Sequence, residues 1–128
     1  MIIGELTMHQ PATLPPEATL TEAGLALDAA GAPALAVVQH GELLGSVSER
    51  DLAVKGCGAG LNPDDANVLV VCNRNSPVCP ADMELSSALA VMKKTGQPWL
   101  LVVDDEEHLA GGVSLNALIG VLAGLVPR

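Results

Sequence analysis

Apolar residues along the chain follow two alternating patterns, one helical and one continuous. Between residues 20 and 30 they recur at helical spacing, after Thr19 as a capping residue and before Gly31 as a left-handed helix stop. Residues 34–38 then form a continuous apolar run, which is typical of a buried strand. A polar turn precedes a second strand at residues 43–47, and these alternating elements predict an α/β protein.

The second half of the chain repeats the first at a shift of 65 or 66 residues. The corresponding segments are 9–13 and 75–79, 31–38 and 96–103, and 43–48 and 109–114. One repeat cannot bury both faces of its small sheet, whereas two repeats can pack sheet against sheet with their helices outside. The sequence therefore predicts two tandem β-α-β-β-α repeats with pseudo-twofold symmetry and a cleft between them.

The duplication sets the predicted boundaries. Residues 1–56 form the first repeat and residues 68–124 the second, with a linker at 57–67 that is rich in Gly, Asn, Asp and Pro. Residues 125–128, Leu-Val-Pro-Arg, have the sequence of a thrombin-site remnant from an expression tag and are excluded from the fold prediction.

Composition restricts the partners that we expect. The 128 residues are 49% hydrophobic and carry a formal net charge of −9, and Trp99 is the only aromatic residue. No cluster of basic residues offers a nucleic-acid footprint, and no apolar run reaches the ~18 residues of a membrane span. Three cysteines do not make a secreted disulfide framework, so we expect a cytoplasmic protein with reduced thiols.

The end of the second predicted strand carries the candidate chemistry. Because a helix opens at Ser48, free backbone N–H groups there offer a seat for an anion. Gly45 lets the backbone approach a ligand, and Asp51 can accept hydrogen bonds from both hydroxyls of a ribose. Arg50 and Lys55 can offset phosphate charge. The alternative is that Ser48 and Asp51 form a capping box and nothing more.

This arrangement resembles the CBS domain, whose repeats carry Gly, two residues, Ser or Thr, two residues and Asp at the end of the last strand. Gly45, Ser48 and Asp51 match that pattern, and nearly the whole chain resembles a stand-alone CBS pair, or Bateman module. The resemblance implies a homodimeric regulatory module that binds an adenosine ligand, such as AMP, ADP, ATP or S-adenosylmethionine, between the repeats. The implied ligand-binding residues are Gly45, Ser46, Ser48, Arg50, Asp51, Val78, Cys79 and Pro98. The resemblance implies that the base of the ligand lies beside the last three of these residues.

The second repeat departs from this pattern. Gly111 and Ser114 remain, but Ala117 stands where the ribose-binding Asp belongs. We therefore expect one competent site and one degenerate site, the latter comprising Thr13, Gly112, Ser114 and Ala117. Trp99 corresponds to a cleft position in the family, where it either stacks on a ligand or plugs the second site; alternatively it belongs to a dimer interface.

Other classes of function find less support. No catalytic constellation is evident, so we expect neither an enzyme nor a cofactor besides the regulatory ligand. Cys57, Cys72 and Cys79 lack the close spacing of a structural zinc site, so no metal is expected. Cys72 is expected in the core, and a nucleophilic Cys57 is a third hypothesis. The main alternative is a ligand-free module that acts through dimer or heteromeric contacts with a partner that the sequence does not identify.

Overall fold

The computed structural model describes residues 1–5 and 13–124. Residues 9–12, from the segment 9–13 that the sequence analysis aligned with 75–79, lie outside the described residues. The tag-like residues 125–128 do so as well. Within the described part of the chain, no helix has the length and apolar character needed to cross a membrane.

Contacts divide the chain into two compact units. The first unit comprises residues 11–76, and the second comprises residues 1–10 together with 77–128. These units follow packing, whereas the predicted repeat boundaries follow the duplicated sequence. Ile3 illustrates the difference, because its N–H donates to the Met83 carbonyl at 2.9 Å and its side chain is buried in the core of the second unit.

The sheet of the first unit has the strand order β1-β2-β3. Strand β1 (Thr13–Leu14) pairs in parallel with β2 (Ala34–Gln39), which pairs antiparallel with β3 (Glu42–Ser48). His40 and Gly41 form the hairpin turn with φ values of 52° and 79°, because a two-residue turn between right-twisted strands favours positive φ. Both predicted strands are confirmed, and each is slightly longer than predicted.

Two helices complete the first unit. Helix α1 (Leu20–Ala30) begins with the predicted capping box of Thr19 and ends at Gly31, whose φ of 59° is left-handed as predicted. Helix α2 (Glu49–Asp51) continues as a π-helical segment, Leu52–Cys57. The predicted helix that opens at Ser48 is confirmed, and its π-helical continuation reaches Cys57, the first residue of the predicted linker.

Both faces of the first sheet contain buried residues. On one face, Leu35 and Val47 pair with each other and pack into the hydrophobic core with residues of α1. On the other face, Ala36 pairs with Ser46, and neither residue has exposed surface. The core of this unit consists of Leu14, Ala18, Leu20, Ala23, Leu27, Leu35, Val37, Val47, Val68 and Val71. Ser46 therefore lies on the face that points away from the helix-packed core.

The second unit has the same architecture. Its sheet has the order β4-β5-β6, with the first pair parallel and the second antiparallel. The elements are β4 (Val78–Pro80), α3 (Leu85–Thr95), β5 (Trp99–Val103), β6 (Leu109–Ser114) and α4 (Leu115–Leu122). Gly96 ends α3 with a φ of 70°, as Gly31 ends α1. The predicted order β-α-β-β-α is therefore confirmed in both halves.

An irregular segment that begins at the last residue of the predicted linker packs against the rest of the first unit. Asn67 forms a bridge with Thr19, and Asn73 forms one with Ser46. Cys72, which the sequence predicted to be core, is partly buried and packs against the core of this unit. Short 3-10 turns lie at Ile3–Glu5 and Val68–Val70.

Candidate ligand site

Strand β3 ends at Ser48, where the backbone turns into α2. The Ser48 N–H and Oγ–H both donate to Asp51 Oδ2 at 3.0 Å, and the Asp51 N–H donates to Ser48 Oγ at 3.1 Å. These bonds form a complete capping box. The capping box that the sequence offered as the alternative is therefore formed. Whether Asp51 can also bind a ligand depends on how many lone pairs of its carboxylate remain free.

The second carboxylate oxygen of Asp51 is engaged by Lys55. Lys55 Nζ lies 3.1 Å from Asp51 Oδ1, and the two side chains are 47% and 14% exposed, respectively. An ionised carboxylate has about four lone-pair sites, and Ser48 and Lys55 occupy three of them. A ribose diol needs two, so it can bind once Lys55 releases the carboxylate. The lysine end of this pair is half-exposed, so water can solvate the ammonium group once it leaves the carboxylate.

Gly45 is in close contact with a neighbouring segment of the chain. A Cβ at this position would stand 2.5 Å from Cys72 Sγ and 2.6 Å from the Asn73 carbonyl oxygen. Next to it, Ser46 and Asn73 exchange two main-chain hydrogen bonds of 3.1 and 2.8 Å. The missing side chain thus makes room for the Cys72–Asn73 backbone beside β3, a structural reason for the glycine that the sequence did not reveal. The predicted ligand contact at Gly45 stays a prediction.

Ser46 carries a buried hydroxyl group without a partner. The residue is 0% exposed, and no described residue forms a hydrogen bond with its Oγ. Burying a hydroxyl group without a hydrogen-bond partner lowers the stability of a protein by about 1–3 kcal/mol, and native structures normally supply a partner. Because side chains two positions apart on a strand share a face, the Ser46 hydroxyl lies on the same face of β3 as Ser48 and belongs to the same candidate site.

Cys72 is a neighbour of this turn that the sequence analysis missed. Burial raises the pKa of the Cys72 thiol, while the positive charge of Arg74 acts in the opposite direction and the Asp51 carboxylate in the same direction. The thiol is therefore close enough to Arg74, Asp51 and Lys55 to sense their charges. The one sequence signal for this neighbourhood is the glycine at position 45, since a close backbone contact requires a small residue.

The other predicted ligand residues differ in how much of their side chain is exposed to solvent. Arg50 is exposed and has no ion-pair partner among the described residues. Val78 and Pro98, in the second unit, are also exposed. Cys79 is 0% exposed within the hydrophobic core of that unit, and burial raises the pKa of its thiol. Val78 and Pro98 thus offer side-chain surface, whereas the side chain of Cys79 is committed to the core.

The second unit has the corresponding turn without a carboxylate. Ser114 ends β6, and its Oγ accepts a hydrogen bond from the Ala117 N–H at 3.1 Å. Trp99 pairs with Ser114, as Ala34 pairs with Ser48 in the first unit. Trp99 is 6% exposed, so its indole lies buried beside the second turn and offers little surface to a dimer interface.

The remaining residues of the predicted degenerate site lie on strands. Gly111 and Gly112 precede Ser114 on β6, and Gly112 pairs with Leu101. Thr13 is an exposed residue of β1, in the first unit. Since none of these positions carries a carboxylate, they cannot replace the missing acceptor for a ribose diol.

The three cysteines differ in their exposure to solvent. All three are free thiols, with Cys57 exposed, Cys72 partly buried and Cys79 buried. Over the described ranges 1–5 and 13–124, no three His, Cys, Asp or Glu side chains are grouped closely enough to hold a metal ion.

Comparison with known proteins identifies the family. The CBS domain model matches residues 3–55 and again residues 68–124. The chain therefore belongs to the CBS domain family and contains a tandem pair of these domains. An uncharacterized protein of Methanopyrus kandleri is 28% identical over 125 residues, which cover 97% of this chain. The match spans 64% of the length of that curated relative.

Solved structures of CBS proteins share the fold. A CBS domain protein from Pyrobaculum aerophilum, complexed with AMP, has a TM-score of 0.85 at 21% identity, with 98% of both chains covered. A conserved CBS domain protein of unknown function from Thermoplasma acidophilum has a TM-score of 0.85 at 22% identity, covering 100% of this chain and 70% of that one. The predicted tandem CBS pair and its α/β fold are confirmed, and a CBS pair is the fold of a regulatory module.

Proposed function

We propose that this CBS pair is a sensor module that binds an adenosine-containing ligand, of the class of AMP, ADP, ATP or S-adenosylmethionine, at the turn formed by Ser48 and Asp51. The observation that carries the proposal is the pair of polar groups at the end of β3: the Asp51 carboxylate bound to Ser48, and the buried Ser46 hydroxyl, for which no described residue supplies a hydrogen-bond partner. The AMP complex of the Pyrobaculum aerophilum protein, which has the same fold, supports this class of ligand.

Ribose binding requires an exchange of partners at Asp51. Its carboxylate releases Lys55 and accepts hydrogen bonds from the ribose hydroxyls, while the capping box with Ser48 keeps the turn in place. The released Lys55 ammonium and the exposed Arg50 guanidinium then offset phosphate charge. The module acts in the cytoplasm without a catalytic step, and its ligand state is communicated to a partner protein.

Thermal-shift and calorimetric titrations with AMP, ADP, ATP and S-adenosylmethionine test the proposal. A ligand at about 100 times its Kd should raise the free energy of unfolding by about 2.7 kcal/mol, with a matching rise in Tm. Cytidine monophosphate keeps the ribose and phosphate and is the matched control for the base. The alternative, a ligand-free module that acts through dimer or heteromeric contacts, predicts no shift with any of these compounds.

We further propose that the protein is a homodimer. Ile119 and Leu122 of α4 are 51% and 59% exposed, and a second copy that covers such apolar surface would stabilise it. Sedimentation at ~100 μM, where a dimer with a Kd of about 1 μM is almost fully assembled, should show a dimer. Leu122→Glu should shift the protein toward monomer, while Leu25→Glu, at a 68% exposed position on α1, serves as the control. A monomeric wild type at this concentration would contradict the proposal.

A further inference from the structure

A cavity of about 450 Å³ lies within the first unit, away from the turn at Ser48. Small-molecule sites in proteins have volumes of about 300–1,000 Å³. Gln39 and Leu44 of the cavity flank the β2–β3 hairpin turn, whereas Ser48 lies at the opposite end of β3. The cavity shares no lining residue with the candidate adenosine site.

Hydrogen bonds hold one wall of this cavity in place. Thr19 and Asn67, which both line it, are bridged to each other. Thr19 Oγ1 accepts a hydrogen bond from the Glu22 N–H at 3.1 Å, and Asn67 Oδ1 accepts one from the Leu69 N–H at 3.1 Å. The wall is thus formed before any ligand binds, which lowers the entropic cost of binding.

The apolar part of the cavity depends on an irregularity of the sheet. Val37 pairs with Gly45 and Val38 pairs with Leu43, so Leu44 is the extra residue of a β-bulge. Leu44 lines the cavity together with Pro16 and Leu69. These side chains provide a surface against which the methylene groups of a ligand can pack.

Three polar side chains in the cavity have no hydrogen-bond or ion-pair partner among the described residues. They are the Glu17 carboxylate, the Gln39 amide and the Arg74 guanidinium. A second carboxylate, that of Asp65, uses Oδ2 to accept a hydrogen bond from Asn62 Nδ2 at 2.9 Å, which leaves Oδ1 available. The cavity therefore offers one unpaired cationic group, the Arg74 guanidinium, and two negatively charged groups, the carboxylates of Glu17 and Asp65.

The balance of charge selects the class of ligand. A purely anionic ligand would meet two carboxylates in a protein whose net charge is −9, and a purely cationic ligand would leave Arg74 unpaired. A guanidinium binds a carboxylate with two parallel hydrogen bonds. We propose that this cavity binds a free basic amino acid, with its carboxylate on Arg74 and its two cationic groups on Glu17 and Asp65. The proposal does not rest on adenosine binding.

Titration of the chain with L-arginine and L-lysine, followed by backbone amide chemical shifts, tests the proposal. We expect saturable shifts at Gln39, Leu44 and Asn67. Arg74→Gln and Glu17→Gln should each weaken binding on the order of tenfold, the effect of losing about one charge-assisted hydrogen bond. Lys93→Gln, which removes an exposed cation of α3 in the second unit, is the matched control and should leave the affinity unchanged.

Ligand analogues that each lack one charged group of L-arginine test the same contacts by changing the ligand instead of the protein. Argininamide lacks the carboxylate and N-acetyl-arginine lacks the α-ammonium group, so each should bind on the order of tenfold more weakly than L-arginine. The amide should also lose its sensitivity to Arg74→Gln. Equal binding of all three compounds, equal binding to Arg74→Gln and wild type, or no saturable shift at roughly 10 mM, ten times a millimolar Kd, would each overturn the proposal.

Discussion

At the scale of single residues, Asp51 serves two purposes that differ in their energetic effect. Its Oδ2 closes the capping box with Ser48, and its Oδ1 pairs with Lys55. A helix cap contributes about 0.5–2 kcal/mol to stability, whereas a charge-assisted hydrogen bond contributes about 1.5–3 kcal/mol. Because asparagine keeps a cap oxygen but loses the negative charge, substitution can separate the two purposes.

Asp51→Ala should weaken the affinity for an adenosine ligand by on the order of ten- to a hundred-fold and lower stability by about 0.5–2 kcal/mol. Asp51→Asn should weaken affinity to a similar extent but retain most of the stability. Calorimetry and urea unfolding on the same protein samples measure both quantities. A 2′-deoxyadenosine ligand should bind wild type less well than its ribose counterpart, with a smaller difference in the variants. Unchanged affinity in both variants would mean that Asp51 is a helix cap and not a ligand contact.

The three thiols should react with iodoacetamide in the order Cys57, Cys72, Cys79. Cys57 is exposed, and burial raises the pKa of the other two thiols. Because the thiolate is the reactive form, a raised pKa lowers the rate at neutral pH and moves the rise in rate to higher pH. Mass spectrometry of samples alkylated between about pH 7 and about pH 10 measures each rate. Equal rates at Cys57 and Cys72 near pH 7 would contradict the partly buried position of Cys72.

At the scale of elements, local signals predicted most of the fold. Helix α1 was predictable because its cap and its glycine stop are both local, and the turn from Ser48 to Asp51 was predictable from spacing alone. The path of the Cys72–Asn73 backbone was not, because it depends on contacts with β3 that leave no periodic pattern in the sequence. The same holds for the lone hydroxyl of Ser46, which only the tertiary structure buries.

Gly45→Ala tests this unpredicted contact. The new methyl group would meet the Asn73 carbonyl, which belongs to the backbone and cannot rotate away, so we expect a loss of about 1–3 kcal/mol in the free energy of unfolding. Gly24→Ala is the matched control, since nothing lies within 4 Å of a Cβ there and the position is inside α1. That change should stabilise the protein by about 0.5–1 kcal/mol. Chemical denaturation that finds Gly45→Ala neutral would mean that the segment after the linker does not pack on β3 as described.

At the scale of the whole molecule, two units of the same architecture carry different chemistry at equivalent turns. The first turn has Asp51 and, across the sheet from Ser48, the small side chain of Ala34. The second has Ala117 and, across from Ser114, the buried indole of Trp99. The second turn therefore lacks its carboxylate and also has its neighbouring space filled, so a change at one of these positions should not be sufficient to restore a site.

This asymmetry predicts the number of ligands bound per chain. Calorimetry should give one adenosine ligand per wild-type chain. Ala117→Asp should stabilise α4 by about 0.5–1 kcal/mol, because it adds an acidic capping partner to Ser114, yet the number of ligands should stay at one while Trp99 fills the neighbouring space. Combining Ala117→Asp with Trp99→Leu, which keeps an apolar side chain in the buried position, should add a second and weaker site. Two equal sites in wild type would contradict the asymmetry, and a second site in Ala117→Asp alone would show that the carboxylate was the one missing part.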